Sequence, residues 1–322
     1  MNAVVLDRFG GPEELRWGQV PDLTPAPGEV LINVAASSVN RADVMQRMGH
    51  YPPPRGESEL LGLECSGRVA ALGADVTTLA VGDEVCVLLA GGGYAEQVTV
   101  PAAQCMRIPT GIDLLSAGGL PEIACTVYSN LTRVARLQPG ETFLVHGGAG
   151  GIGTFAIQYA VAVGARVAVT AGSAEKLEVC RSLGAEILVN YHEQDFVDVV
   201  GAADVILDNM GAKYLARNVS VLAPDGRIVV IGLQGGRKAE LSLGELLPKR
   251  GSIHATSLRS RPRSQKGEIC GEVAEHVWPL IEAGEIQMVI DRTYDLPDAA
   301  EAHRRIDSGD HVGKILLRGT TA

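Results

Sequence analysis

No stretch of the sequence has the length and apolar character of a membrane-spanning helix, and the N-terminus lacks the basic start and apolar core of a signal peptide. No block of Lys or Arg is present, and the net charge is −10. These absences argue against binding to nucleic acid or to an anionic membrane surface. Internal repeats and low-complexity segments are absent too. We therefore expect a protein whose partners are small molecules.

The six cysteines form no CxxC pair, and their spacing indicates neither a disulfide framework nor a zinc site. They are Cys65, Cys86, Cys105, Cys125, Cys180 and Cys270. We expect reduced thiols in a cytoplasmic protein. With 322 residues, the chain is long enough for two domains, each with its own core.

The first 120 or so residues contain short strand-like runs between Gly- and Pro-rich turns, without long helices. The runs are Ala3–Leu6, Trp17–Val20, Val30–Ser37, Cys65–Leu72, Glu84–Leu89 and Tyr94–Val100. Such close spacing predicts a compact β-rich domain.

From about Ile123 onward, strands and helices alternate. The predicted strands are Thr142–Val145, Arg166–Thr170, Ile187–Asn190, Asp204–Asp208, Arg227–Ile231 and Ser252–Thr256. The predicted helices are Ile123–Ala135, Ile152–Val163, Lys176–Leu183 and Lys213–Val221. This pattern predicts a doubly wound parallel sheet with the strand order 3-2-1-4-5-6.

A glycine-rich loop follows the first strand of this sheet and matches the pattern GxGxxG. In a nucleotide site, the first glycine permits a tight turn, the second admits a pyrophosphate and the third lets the helix approach the sheet. The helix N-terminus offers N–H groups to the phosphates. A merely structural turn is the alternative, but the flanking strand and amphipathic helix favour a nucleotide site. The candidate residues are Gly148, Ala149, Gly150, Gly151, Ile152 and Gly153.

The end of the second strand indicates which nucleotide binds. NAD enzymes usually place Asp or Glu there, about 20 residues beyond the glycines. Here Thr170 is followed by Ala171, Gly172 and Ser173, with Lys176 close behind. A hydroxyl and an ammonium suit a 2′-phosphate, which favours NADP over NAD. The alternative is that Ser173 only caps a helix and Lys176 is solvated.

Three places in the first domain are candidates for chemistry, and each has a structural alternative. Asn40 and Asp43 either act on substrate or cap or close a turn. Tyr51 is presented by a proline-stiffened loop, yet its ring could simply pack. Glu64 is either functional or a solvated charge at a strand end.

The chain ends with a helix at Ser264–Ala283, a helix at Asp298–Asp307 and a strand at Lys314–Leu317. We expect this return to rejoin the N-terminal domain and to leave the active site in a cleft between the domains. Loops after the fifth and sixth strands would line the cofactor. In the second loop, Arg259 and Arg261 either meet phosphate or lie in solvent.

With these pieces placed, the chain resembles the zinc-free NADPH:quinone oxidoreductase branch of the medium-chain dehydrogenase/reductase superfamily, which includes zeta-crystallin. The resemblance runs almost end to end and rests on motifs in a fixed order. They are Phe9-Gly10-Gly11-Pro12-Glu13, Val39–Arg47, Tyr51-Pro52-Pro53-Pro54, Leu61-Gly62-Leu63-Glu64, Gly93-Tyr94-Ala95-Glu96, Gly148–Gly153, Thr170–Ser173, Asn190-Tyr191 and Gly313-Lys314-Ile315.

The resemblance implies an α/β fold in which a GroES-like β-rich catalytic domain (1–122 and 263–322) accompanies a Rossmann domain (123–262). Zinc-dependent relatives hold the catalytic metal with a Cys, a His and often a Glu. Here Asn40 and Leu63 stand at the Cys and His positions, and only Glu64 remains. No cysteine occurs between Leu88 and Gln97, where relatives carry the structural-zinc lobe. Asn and Leu cannot rebuild a tetrahedral zinc site, so we expect zinc-free chemistry.

The resemblance also implies roles for individual residues. Tyr51 and Asn40 would line the substrate pocket as the catalytic residues, with Tyr51 as hydrogen-bond donor or substrate orienter. The cofactor would be NADPH, and a homodimer is the family expectation. Further cofactor contacts would come from Thr126, Gly172, Ser173, Lys176, Tyr191, Gly232, Leu233, Ser257 and Arg259.

Three functions follow from these expectations. The first is reduction of a quinone by NADPH, because a quinone accepts hydride without a Lewis acid. The second is reduction of an activated alkene such as an enone or enoyl thioester. The third is a sensor or structural protein that binds NADPH and has only incidental activity.

Overall fold

The computed structural model describes residues 1–320, and the chain divides into two compact units. Unit 1 comprises Met1–Cys125, Leu258–Ala283 and the chain from Met288 onward. Unit 2 comprises Thr126–Ser257 and Gly284–Gln287. The expected domain limits, 122/123 and 262/263, lie within five residues of the main division and stay a prediction.

The strands are short, and several lie close to their expected positions. They are β1 (Asn2–Leu6), β2 (Leu15–Gln19), β3 (Glu29–Val39), β4 (Glu64–Leu72), β5 (Glu84–Leu88), β6 (Gln97–Pro101), β7 (Cys105–Arg107), β8 (Thr142–His146), β9 (Arg166–Ala171), β10 (Ile187–Asn190), β11 (Ala203–Asp208), β12 (Leu222–Val230), β13 (Ser252–Ala255), β14 (Ile290–Asp295) and β15 (Lys314–Arg318). Two of them, β7 and β14, were not expected from the sequence.

Most of the helices belong to the second half of the chain. They are α1 (Arg41–Arg47), α2 (Pro121–Tyr128), α3 (Gly151–Val163), α4 (Ala174–Ser182), α5 (Phe196–Val200), α6 (Leu215–Val221), α7 (Leu243–Lys249), α8 (Arg263–His276), α9 (Trp278–Glu282) and α10 (Ala299–Ser308). The sequence analysis did not predict α1, α5 or α7.

Unit 1 is built on a seven-stranded sheet in the order β14-β15-β3-β4-β5-β7, with β6 also paired to β3. Strand β3 is its centre, and Val30, Ile32 and Val34 point to one buried face at the two-residue spacing of a strand. The C-terminal strand β15 pairs antiparallel with β3, from Ile315 opposite Val39 to Arg318 opposite Ala36. The β-rich character expected for this part of the chain is confirmed.

Unit 2 contains a six-stranded sheet in the order β10-β9-β8-β11-β12-β13, and every neighbouring pair is parallel. Numbered from β8, this order is the expected 3-2-1-4-5-6 of a doubly wound sheet. Its central strands are apolar on both faces, as in other covered parallel sheets. The expected fold class is confirmed.

Two predicted helices are wrong in detail. The expected helix from Ile123 to Ala135 is α2 followed by a π-helical segment, Ser129–Val134. The expected helix from Ser264 to Ala283 is divided into α8 and α9, because Pro279 lacks the N–H that would continue the hydrogen-bond ladder.

All six cysteines are free. Cys105 is partly exposed, and the other five are buried. Burial raises the pKa of the Cys105 and Cys180 thiols to about 12, so both thiols are protonated at neutral pH. Within residues 1–320, no helix has the length and apolar character needed to cross a membrane.

Candidate active site

A buried carboxylate organises the candidate catalytic residues of unit 1. Glu64 begins β4 and is 0% exposed, and its carboxylate receives four hydrogen bonds. Its Oε1 accepts from Ser38 Oγ, from Asn40 Nδ2 at 2.9 Å and from Lys314 Nζ at 2.7 Å, and its Oε2 accepts from the backbone N–H of Glu122 at 2.8 Å. The reading of Glu64 as a solvated strand-end charge is therefore wrong.

Asn40 is the N-cap of α1 and is held from two sides. Its backbone N–H donates to Asp43 Oδ2 at 2.8 Å, and its side-chain Oδ1 accepts from Lys314 Nζ at 2.8 Å. Asp43 is fully buried and also accepts from the backbone N–H of Gly62 at 2.9 Å. Burial raises the pKa of Asp43 to about 6, although both backbone hydrogen bonds act in the opposite direction. Asp43 thus closes the turn into α1.

The residues at the expected metal-ligand positions do not fit zinc. Leu63 has no ligand atom, and the oxygens of Asn40 and Glu64 both bind the ammonium of Lys314. A cation is therefore already present between these two side chains. In residues 1–320, no group of three His, Cys, Asp or Glu side chains is arranged to hold a metal ion.

Tyr51 lies beyond the C-terminal end of α1 and is held by Arg259. The Arg259 guanidinium is centred 5.2 Å from the Tyr51 ring centroid and donates to the Tyr51 carbonyl at 3.1 Å. It also donates to Gln46 Oε1 at 2.6 Å and to the Ala90 carbonyl at 2.7 Å. Arg259 is only 4% exposed, so it does not lie in solvent. Its cofactor contact stays a prediction.

The glycine loop of unit 2 has the form expected for a phosphate site. A β-carbon at Gly153 would lie 2.5 Å from the carbonyl oxygens of Gly147 and Gly148, so this position requires glycine. At Gly150, the nearest atom to such a carbon is the Gly147 carbonyl oxygen at 3.5 Å, which leaves open space over the loop. Gly150 is the N-cap of α3, whose first N–H groups lack intrahelical acceptors. The loop thus fits a pyrophosphate.

The expected adenosine-end residues come together at the carboxyl ends of β9 and β10. A β-carbon on Gly172 would lie 2.5 Å from the Tyr191 hydroxyl, so Tyr191 sits directly against this glycine. Ser173 caps α4 by accepting from the Lys176 N–H at 3.3 Å. Glu175 has its pKa held below the usual value by its own backbone N–H and by the Ser173 hydroxyl. Ser173 therefore caps α4, and this role is compatible with a contact between its hydroxyl and a phosphate.

Two asparagines that sequence reasoning missed connect the remaining cofactor candidates. Asn130 donates to the Thr126 carbonyl at 2.8 Å and accepts from Thr256 Oγ1 at 2.7 Å, which ties Thr126 to the loop that carries Ser257. The other, Asn209, follows β11. Its position at a carboxyl strand end was the signal that could have found it.

Asn209 lies where loops after three neighbouring strands meet. A β-carbon on Gly147 would lie 2.9 Å from Asn209 Nδ2, and one on Gly232 would lie 2.8 Å from the Asn209 carbonyl oxygen. Its buried Oδ1 has no hydrogen-bond partner in residues 1–320. Leu233, in the same loop as Gly232, is 46% exposed. An orphan acceptor beside the glycine loop suits the hydroxyl groups of a nucleotide ribose.

Replacing Gly150 with Ala should separate cofactor binding from stability. Gly150 has φ −76° and ψ 172°, which alanine adopts without strain, so Tm should not change. The new methyl group would fill the space over the loop and weaken binding of a nicotinamide dinucleotide by about tenfold or more. Titration calorimetry and thermal unfolding measure the two effects.

Gly244→Ala is the matched control, because a β-carbon there meets no atom within 4 Å and the residue lies in α7. It should bind dinucleotide like the wild type. Unchanged affinity in Gly150→Ala would show that the phosphates do not approach this loop.

Comparison with known proteins places the chain in a family. Residues 26–110 match the alcohol dehydrogenase GroES-like domain and residues 183–317 match the zinc-binding dehydrogenase domain. The chain is 30% identical to a 2-haloacrylate reductase of a Burkholderia species over 98% of each chain. It is 31% identical to a quinone oxidoreductase of Pseudomonas aeruginosa, over 96% of this chain and 97% of that one.

A solved structure agrees with these relatives. The Escherichia coli quinone oxidoreductase complexed with NADPH superposes with a TM-score of 0.87 at 29% identity, covering 99% of this chain and 100% of that one. The chain therefore belongs to the medium-chain dehydrogenase/reductase superfamily of oxidoreductases, which bind nicotinamide cofactors, and within it to the branch of the quinone oxidoreductases.

Proposed function

We infer that the protein is a zinc-independent NADPH:quinone oxidoreductase. The observation that carries this proposal is the Lys314 ammonium bound between Asn40 and Glu64, where zinc-dependent relatives would need metal ligands. With no Lewis acid to polarise it, the substrate must be electrophilic enough to accept hydride directly. A quinone meets this requirement, because the incoming charge delocalises onto oxygen. The quinone oxidoreductase from P. aeruginosa supports the same class.

In the proposed reaction, NADPH supplies the hydride. Asn40 and Tyr51 bind and orient the substrate oxygen through the amide N–H and the phenolic O–H. Donors already fixed before reaction stabilise the charge that develops on that oxygen, and this contribution is usually a large part of catalysis. The hydrogen bond and ring contact from Arg259 keep Tyr51 in place. Transfer of the hydride converts the quinone to a hydroquinone monoanion, which takes up one proton from solvent to give the hydroquinone.

The alternative substrate is an activated alkene, and one observation favours it. The Burkholderia relative that aligns with nearly the whole chain is a 2-haloacrylate reductase, whose name indicates an alkene conjugated to a carboxylate. The same donors would serve an enone or enoyl thioester, with hydride added to carbon. Identification of the product separates the two reactions, since only the alkene reaction yields a saturated carbon–carbon bond.

Purified protein should oxidise NADPH in the presence of ortho- or para-quinones, and Tyr51→Phe should lower kcat roughly a hundredfold through loss of a donor. NADPH affinity should not change. The absorbance of NADPH reports turnover, and titration calorimetry reports binding. If no quinone or activated alkene is reduced although NADPH binds, a sensor or structural role replaces this proposal. Equal turnover by the Phe variant removes Tyr51 from the mechanism.

Lys176 should determine the choice of cofactor. We propose that its ammonium, with Ser173 and Tyr191, contacts the 2′-phosphate of NADPH, which NADH lacks. Lys176→Ala should therefore weaken NADPH by about tenfold and leave NADH nearly unchanged. Titration of both cofactors measures this. An equal loss for both would mean that Lys176 does not touch the 2′-phosphate.

We also propose a homodimer, supported by exposed apolar side chains on α7 and by an edge strand of the unit 2 sheet. Leu243 and Leu247 on α7 are 68% and 78% exposed, and β13 is an edge strand of the sheet. Leu247→Asp should halve the mass measured by sedimentation equilibrium to about 34 kDa, one chain being 33.8 kDa. The exposed Val81 of unit 1 provides the control Val81→Asp, which should keep the mass of a dimer. A monomeric wild type would contradict the proposal.

A further inference from the structure

We propose that Lys314 is a positioning residue whose ammonium fixes the side-chain amide of Asn40, so that one amide N–H is presented to the substrate oxygen. The inference rests on the proposed function, in which Asn40 binds that oxygen. Lys314 would then have a defined role in a site whose residues do not provide the ligands of a metal ion.

The sheet brings the two residues together. Strands β3 and β15 are antiparallel, and Val39 pairs with Ile315. Continuing this register by one residue places Asn40 opposite Lys314, where side chains of neighbouring strands lie on the same face. The contact between Lys314 Nζ and Asn40 Oδ1, 2.8 Å long, follows directly from this pairing.

The orientation of the amide is determined by the chemistry of its partners. An ammonium only donates hydrogen bonds, so the atom of Asn40 that faces Lys314 must be the oxygen. A carboxylate only accepts, so the atom that faces Glu64 must be the nitrogen. A flipped amide would place nitrogen against ammonium and oxygen against carboxylate. The two charged partners together therefore permit one orientation.

This orientation leaves one donor available. The Asn40 nitrogen carries two hydrogens, and one of them is used by Glu64 at 2.9 Å. Within residues 1–320 the second N–H has no acceptor, and Asn40 is half-buried, whereas Glu64 and Lys314 are enclosed. The second N–H is therefore the part of this cluster that can reach a substrate.

The charge of Lys314 also makes this donor effective. A cation on the amide oxygen polarises the amide and strengthens its N–H groups as donors. The ammonium further balances the Glu64 carboxylate, which would otherwise repel the negative charge that develops on the substrate oxygen. With Lys314 only 3% exposed, water does not replace it in either task.

The test uses a charge-balanced pair of substitutions. Lys314→Met alone would leave a bare buried carboxylate and endanger folding. The double variant Lys314→Met/Glu64→Gln removes both charges and keeps an acceptor for Asn40 Nδ2. We expect it to bind NADPH like the wild type and to lose about tenfold or more in kcat with little change in KM, because the donor is no longer held in place.

The same pair of substitutions in an Asn40→Ala background shows whether the loss of kcat depends on Asn40. If Lys314 acts through Asn40, the pair should no longer lower kcat in this background. An equal loss of kcat with and without Asn40 would overturn the proposal. The control pair Lys238→Met/Glu240→Gln changes two exposed residues in the same way and should not alter kcat in either background.

A second measurement keeps the inference separate from the proposed activity. With asparagine labelled by ¹⁵N, the side-chain amide hydrogens of Asn40 should exchange slowly with water in the wild type and faster in Lys314→Met/Glu64→Gln. A wild type that reduces neither quinones nor alkenes would refute the proposed function, and the exchange rates would still decide on Lys314. Equal exchange in both proteins would overturn its positioning role.

Discussion

A carboxylate that has lost contact with water must be matched by donors, and Glu64 imposes this requirement on unit 1. The donors come from Ser38 on β3, Asn40 at the start of α1, Glu122 at the start of α2 and Lys314 on β15. An unpaired buried carboxylate would cost several kcal/mol, on the order of the net stability of a small domain. The four elements are therefore obliged to meet at one point, and the candidate catalytic amide lies at that point.

Two candidate side chains lie at opposite ends of the short helix α1, and different interactions hold each of them. At its first turn, Asn40 is held by a carboxylate and an ammonium, both of which are buried. Beyond its last turn, Tyr51 is held by Arg259, which also grips Gln46 of the same helix. Each candidate side chain therefore depends on partners distant in sequence. Such fixed donors do not have to reorganise when charge develops on a substrate, which is the main advantage of an enzyme site over water.

Local sequence signals predicted unit 2 well and unit 1 less completely. The glycines around Gly150 and the apolar strands determine a parallel sheet through steric and periodic constraints that act over a few residues. In contrast, α1 is too short for a periodic pattern, and β14 (IDRTYD) lacks a clear alternation of apolar and polar residues. Pro279 was a sequence signal for the break between α8 and α9. The pairing of Lys314 with Glu64 could not be predicted from the sequence, because it depends on the register between β3 and β15.

That register has a consequence for how the protein is made. Most of unit 2 is one continuous segment, Thr126–Ser257, whereas unit 1 needs strands from both ends of the chain. During synthesis, β3 leaves the ribosome long before β15 exists, so the Ala36–Val39 part of one edge of β3 stays unpaired while the whole of the continuous segment is translated. The Glu64 carboxylate likewise lacks its Lys314 partner until β15 has been made. Unit 1 can therefore be completed only after β15 has been synthesised, and the nascent chain must keep that edge from pairing with other strands until then.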